Sequence, residues 1–301
     1  MASTTTSQPD PNRRPITAEM VKKLRDATGA GMMECKAALT EANGDFDEAT
    51  TVLRKRGLAS AAKKAGRTAS EGLIGNRVAN DHSSGILVEV NCESDFVART
   101  EDFQKLIQDI LSAIEQAGDA ANDAWLADPN GPVVGLIKPV IGKLGENMVA
   151  PRLVRYAGKG YVGQYIHPGA KVAVQVEFAG VTPDIAGREE FTTLVKEIAM
   201  QIAAASPIYA SRDAVPAALL DKERAIYRAQ VEDAKKPANI IDKIVEGKLG
   251  SYYKQVVLVD QESVRDPKMS VKDVIAAASK ALGTTVSVLR FARLRVGETA
   301  Q

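Results

Sequence analysis

The chain of 301 residues is 45% hydrophobic and 26% charged, the fractions of an ordinary globular protein, and it is long enough for two or three domains. Its formal net charge of +1 supplies no global field toward nucleic acid or an anionic membrane, and no apolar run approaches the roughly 18 residues of a membrane span. Two cysteines far apart in sequence, Cys35 and Cys92, exclude a disulfide scaffold and fit a reducing cytoplasm.

Residues 1–15, MASTTTSQPDPNRRP, hold no hydrophobic stretch of the kind a secretory signal needs, and no apolar region follows Arg13-Arg14. A disordered tail is expected there. Thr17 is placed to cap a helix with Met20, Val21 and Leu24 on one face. Gly29 and Gly31 break it, and Asn43-Gly44 ends a second helix. Asp45 caps a third, with Phe46, Ala49, Val52 and Leu53 on its face, which ends at Gly57. Residues 16–57 thus read as a small bundle of the ubiquitin-associated type, whose marginal core suits docking rather than catalysis. Met32-Met33 opens the second helix, and adjacent helical residues cannot both face one core. Either at least one methionine is exposed, which suits a protein-binding surface, or both fill an irregular interior. Cys35 reads as a small core residue with no nearby histidine to activate it. Residues 58–70, basic and alanine-rich, either extend the third helix or tether the next domain.

A repeat follows. Gly72-Leu73-Ile74-Gly75 recurs as Gly160-Tyr161-Val162-Gly163, displaced by 88 residues. At the same displacement Ile86, Val88 and Val90 recur as Val174, Val176 and Phe178, and Phe103, Leu106 and Ile107 as Phe191, Leu194 and Val195. Each copy reads as a short strand, a turn, a longer strand, a loop and an amphipathic helix that needs a sheet to bury its face. The fold class expected is therefore α+β. The three-helix bundle leads into two repeated core subdomains with antiparallel sheets, one over 71–156 and the other over 157–211 and 250–298.

Inserted into the second subdomain, residues 212–249 read as an antiparallel helical hairpin broken at Lys235-Lys236-Pro237. Leu219, Leu220 and Ile226 mark one apolar face, and Ile240, Ile241, Ile244 and Leu249 the other. These faces either pack on each other or receive a partner, a second copy of the chain included. Val256–Val259 then reads as a strand, Ser270 starts a helix that Gly283 ends, and Val286–Val296 reads as the last strand. His82 and His167 read as turn residues.

The two copies differ in the loop between strand and helix, NCESDFVARTED in the first and AGVTPDIAGREE in the second. Phe96, one of only six phenylalanines, has Asp184 as its mate, so an aromatic ring is not required to close the subdomain. That favours a projecting anchor, since aromatic side chains dominate interface hot spots; the alternative is a ring folded back onto its own sheet. Asp95 either helps to cap the helix starting near Thr100 or acts on a partner's charge. Glu93, Asp95, Glu101 and Asp102 crowd together without a histidine, so no metal ion or other cofactor is expected. Neither cysteine has the His and Asp neighbours of a hydrolase, and the basic stripe with stacking aromatics of a nucleic-acid binder is missing.

The segments ITAEMVKKLRDATGAGMMECKAALTEANGDFDEATTVLRKRGLASAAKKAGRTASEG, VNCESDFVART and GQYIHPGAKVAVQVEF resemble the elongation factor Ts family, as do KPANIIDKIVEGKL and LRFARLRVGE. The resemblance runs from about residue 16 to about residue 298. It implies a guanine-nucleotide exchange factor of translation without covalent chemistry, whose partner is the GTP-binding domain of elongation factor Tu. It further implies that Ser94, Asp95, Phe96 and Val97 dislodge the partner's magnesium, with Phe96 as a wedge. Arg25, Met32 and Met33 match docking positions. Ser94 stands where the family usually has Thr, and Gln201 where many members carry His, so Gln201 would dock without titrating. The rival class is a non-catalytic adaptor that binds proteins through its first domain.

Overall fold

A computed structural model describes residues 15–158, 160–232 and 237–298. All but Pro15 of the expected tail, and the Lys235-Lys236 break, lie outside the described residues. In chain order the elements are α1 (Ala18–Thr28), α2 (Met32–Glu41), α3 (Phe46–Lys64), β1 (Glu71–Val78), β2 (Ser84–Cys92), α4 (Asp95–Ala98), α5 (Glu101–Ala117), α6 (Asp123–Ala127), α7 (Pro132–Leu144) and β3 (Met148–Ala157). There follow β4 (Tyr161–Ile166), β5 (Val172–Ala179), α8 (Pro183–Ala186), α9 (Glu189–Ala205), α10 (Ala217–Glu232), α11 (Ala238–Val256), α12 (Val271–Leu282) and β6 (Ser287–Arg295). The architecture mixes helices with two three-stranded sheets, ordered β1-β2-β3 and β4-β5-β6, which is α+β. The chain divides into two compact units. The first holds the described residues up to Gly72 together with Val90–Arg152; the second holds Leu73–Glu89 and the described residues from Leu153 onward.

In the first unit, local chemistry sets the ends of the opening helices. Thr17 Oγ1 accepts from the Met20 N–H, Asp45 Oδ1 accepts from the Glu48 N–H, and Gly29 closes α1 in the left-handed conformation. Val21, Leu24, Cys35, Ala38, Leu39 and Ala49 make the buried cluster between α1, α2 and α3. The third helix does not stop at Gly57: it continues to Lys64. The glycine serves a helix crossing instead. A Cβ built on Gly142 of α7 would sit 2.9 Å from the Gly57 Cα, so the two backbones meet with no side chain between them. Of the two readings of residues 58–70, the helix extension therefore holds up to Lys64. Helix α7 packs on α3, α5 and α6, and α5 buries Phe103, Leu106, Ile107, Ile110, Leu111 and Ile114.

The 88-residue displacement reappears in the elements. Helices α4 and α8 are four residues each, α5 and α9 are 17 residues each, and each pair starts 88 positions apart. The turns match bond for bond. Ala79 N–H donates to Ser84 O at 3.0 Å where His167 N–H donates to Val172 O at 2.9 Å, and His82 and Ala170 both take a positive φ, 58° and 51°. A Cβ on Gly72 would run into the Val90 carbonyl, and one on Gly160 into the Phe178 carbonyl, which explains the repeated glycines.

In the second unit β5 pairs antiparallel with β4 and β6, and Val174, Val176, Phe178, Phe191, Ile198 and Ile202 form the core between sheet and α9. Helices α10 and α11 run antiparallel, since Arg228 pairs with Asp242 and Arg224 with Glu246. One expectation is overturned here. Val256–Val259 is not a strand: α11 runs through Val256, and Leu258–Asp260 is a single 3₁₀ turn. Among the described residues no strand lies alongside; Val257 makes an isolated bridge to Tyr209, and the apolar run is spent on burying Val257 and Leu258.

Candidate functional site

The segment after β2 is a short helix. Ser94 takes an extended conformation at its N-terminus and its Oγ accepts from the Val97 N–H at 3.5 Å, so Asp95–Ala98 closes into one turn, the α4 helix, before Thr100 caps α5. That turn sorts its side chains. Val97 and Ala98 go inward, while Phe96 is 79% exposed, the most exposed large apolar side chain among the described residues. The ring is not folded back onto its sheet, so the projecting alternative is the one observed. Asp95 does not cap α5. Its carboxylate pairs with Arg99, one turn on, at 2.6 Å, in an exposed contact of little intrinsic strength.

Two acidic side chains hold this turn in place. Glu146, in the turn after α7, accepts from the Ser94 N–H at 2.9 Å and the Glu93 N–H at 3.1 Å through Oε2, and from Ser94 Oγ at 2.5 Å through Oε1. In return Glu93 Oε1 accepts from the Asn147 N–H at 2.6 Å, and Asn147 Nδ2 donates to the Arg67 carbonyl at 2.7 Å. Each carboxylate thus binds the backbone of the other's turn, and such charge-assisted bonds are the stronger kind. Beneath the turn, Cys92 Sγ lies 3.1 Å from the Ser94 carbonyl. Burial, and then the carboxylates of Glu146 and Glu71, push its thiol up to about 12, so it is no nucleophile near neutral pH.

Helix α2 opens with a second exposed apolar group in the same unit. Met32 is 58% and Met33 74% exposed, so both methionines face solvent and neither fills the interior. The α1–α2 turn is short and tightly made, with the Gly31 N–H donating to Glu34 Oε2 at 3.2 Å. Arg25 is exposed on the last turn of α1. The stem of Lys143, near the end of α7, lies over Gly29, and its Nζ reaches Asp102 at the start of α5 at 2.7 Å. The end of α7 therefore touches both the turn leading to Met32-Met33 and the segment following Phe96.

Among the described residues no group of three or more His, Cys, Asp or Glu side chains is placed to hold a metal ion, and no helix is long and apolar enough to cross a membrane. The first unit thus carries an exposed ring on a clamped turn and an exposed methionine pair.

A family model described as Elongation factor TS matches residues 93–298. The elongation factor Ts of Lawsonia intracellularis is 44% identical over 292 residues, covering 94% of this chain and 99% of that protein. Those of Aquifex aeolicus and Trichlorobacter lovleyi are 41% and 40% identical, covering 95% and 94% of this chain and 99% and 93% of their own. The chain belongs to the elongation factor Ts family.

The elongation factor Ts match begins at Glu93, the residue whose carboxylate holds Asn147. Of the expected site residues, Ser94, Asp95, Phe96, Val97, Arg25, Met32 and Met33 all lie in the first unit. Gln201 does not: it lies in the second, on α9, and is buried. Its Nε2 donates to Gln261 Oε1 and the Glu262 carbonyl, each at 3.1 Å, and its Oε1 accepts from the Val264 N–H at 2.8 Å. A direct docking contact at Gln201 is thus corrected to an internal fastening of the Glu262–Val264 segment. Sequence reasoning missed Glu146, Asn147 and Lys143. Their hydrogen-bond partners are 41 to 80 residues away, and no local period announces such a contact.

Proposed function

We infer that this chain promotes GDP release from elongation factor Tu, so that GTP can bind, and that it does so without covalent chemistry. Nucleotide leaves a GTPase slowly because magnesium and the phosphate-binding loop share its phosphate charge. A factor that prefers the nucleotide-free form weakens nucleotide by the same free energy with which nucleotide weakens the factor. Each roughly 1.4 kcal/mol of that coupling is worth about tenfold.

The observation that carries this reading is the ring of Phe96, 79% exposed on a turn held by Glu146. An apolar ring left in water gains by entering a partner, and a clamped turn loses little entropy when it does. In this reading Phe96 wedges between helices of the partner's GTP-binding domain. Ser94 and Val97 hold the turn, and Asp95, freed from Arg99, acts near the magnesium. Arg25, Met32 and Met33 anchor the same domain; flexible thioethers suit that task. Gln201 contributes through the Val264 segment that it holds.

The finer architecture belongs to the same proposal. Residues 16–57 act as the ubiquitin-associated-like docking module. Residues 71–156, and 157–211 with 250–298, are related core subdomains, supported by the matched turns. Residues 212–249 form a projecting coiled-coil hairpin whose exposed Ile226 and Ile240 are open to a second copy. The work is done in the cytoplasm.

The test is the rate of GDP release from elongation factor Tu, measured by stopped flow with and without this chain. Acceleration is expected, whereas an adaptor would leave the rate untouched.

A further inference from the structure

We propose that Glu146 is a positioning residue of the exchange reaction, which sets the aim of Phe96 by gripping the backbone of Glu93 and Ser94. The proposal rests on the reading of the Ser94–Val97 turn as the element that acts on the GTP-binding domain. The hydrogen bonds of Glu146 among the described residues go to the Glu93 N–H, the Ser94 N–H and Ser94 Oγ, all at the base of the turn that carries the ring.

The second copy of the repeat serves as an internal control. At the displacement of 88 residues Glu93 and Ser94 correspond to Val181 and Thr182, and α8 forms there as α4 does here. Yet among the described residues no carboxylate accepts from the Val181 or Thr182 N–H, and Thr182 Oγ1 turns instead to Asp184 at 2.6 Å. The short helix therefore forms without a clamp. What distinguishes the clamped copy is the side chain it carries: exposed Phe96 in place of Asp184. A carboxylate with two backbone donors and one hydroxyl fixes the entry direction of α4, and through it the direction of the ring.

Glu146 also sits where that direction can be tied to docking. It follows α7 directly, and α7 meets α3 at Gly57 and covers Gly29 with Lys143. A shift imposed on the opening helices by a partner would reach the α7 end, and from there the Ser94 backbone.

The experiment follows GDP release from elongation factor Tu over a range of factor concentrations, so that the limiting rate and the half-saturating concentration are read separately. Full-length Glu146→Ala, Glu146→Gln, Phe96→Ala and the Phe96→Ala/Glu146→Ala double variant are compared, each checked for a parent-like unfolding transition. Glu146→Ala should lower the limiting rate by about tenfold or more while half-saturation shifts less than about threefold, as expected of a misplaced reacting group. Glu146→Gln keeps the bulk but turns an NH₂ toward donors, so it should fall between; it is also the variant to rely on if Glu146→Ala fails to fold. In the Phe96→Ala background the Glu146→Ala change should alter the rate by less than about twofold, because the two act as one unit. Parent-like limiting rates for the Glu146 variants beside a slow Phe96→Ala would overturn the proposal and leave the function standing. So would multiplicative losses in the double variant, since Glu146 would then act elsewhere. A parent-like rate for Phe96→Ala would instead remove the reading of the turn, and the proposal with it.

Discussion

Phe96 and Val97 are neighbours in one helical turn and face opposite ways, the ring 79% exposed and the valine 9%. Their substitutions should separate accordingly. Phe96→Ala removes nothing buried and should leave the unfolding free energy within about 0.5 kcal/mol of the parent. Val97→Ala empties part of the packing under α4 and should cost about 1–3 kcal/mol. Equilibrium unfolding of the two variants checks this.

Gly57 and Gly142 should respond unequally to the same added methyl. A Cβ on Gly57 would lie 3.9 Å from the Gly142 Cα, an ordinary contact, whereas one on Gly142 would lie 2.9 Å from the Gly57 Cα. Gly57→Ala is expected to be neutral or to stabilise by up to about 1 kcal/mol through helix propensity. Gly142→Ala is expected to destabilise by about 1–3 kcal/mol, because two helices must part. Thermal unfolding of both variants gives the comparison.

This crossing also marks where sequence reasoning stopped. The opening helices and their caps at Thr17 and Asp45 were readable because cap chemistry is local. The repeat was readable because the buried positions of α5 recur in α9. Gly57 was misread as a terminator, since a glycine that lets two backbones touch looks the same in sequence as one that ends a helix. Helix α7 went unread behind Pro132, Gly135, Pro139 and Gly142, residues that ordinarily break helices. The exposure of Phe96 could be argued from its mate Asp184, but its support could not: Glu146 lies 52 residues from Ser94. Burial of Gln201 was equally hidden, because a polar residue on an amphipathic helix gives no sign of partners at 261–264.

Replacing Gln201 should therefore affect stability before exchange. Gln201→Ala strips an acceptor from the Val264 N–H and a donor from the Glu262 carbonyl, at a cost of about 2–4 kcal/mol. At a temperature where the variant is fully folded, its limiting GDP-release rate should stay near that of the parent while the half-saturating concentration rises, since its part is in docking. Denaturant titration and the exchange assay, run on one preparation, give both numbers.

The buried thiol of Cys92 makes stability fall at alkaline pH. Its ordinary value of 9.0 is raised to about 12 in the fold, chiefly by burial and then by Glu146 and Glu71. Above pH 9 the unfolded chain releases the thiol proton while the folded chain keeps it, so the unfolded state binds fewer protons and stability declines with rising pH. The contribution is fully present below pH 9 and is lost between there and about 12. Cys92→Ala should flatten this part of the profile, seen as a smaller drop in urea midpoint between pH 8 and pH 10.5 than in the parent.

Whether Phe96 is a wedge that acts on the partner or a mere contact is decided by stopped-flow GDP release from elongation factor Tu with parent and Phe96→Ala. A wedge lowers the limiting rate by about tenfold or more and changes the half-saturating concentration by less than about threefold, because the loss falls on differential binding and not on docking. A parent-like limiting rate, or a loss confined to half-saturation, would contradict it.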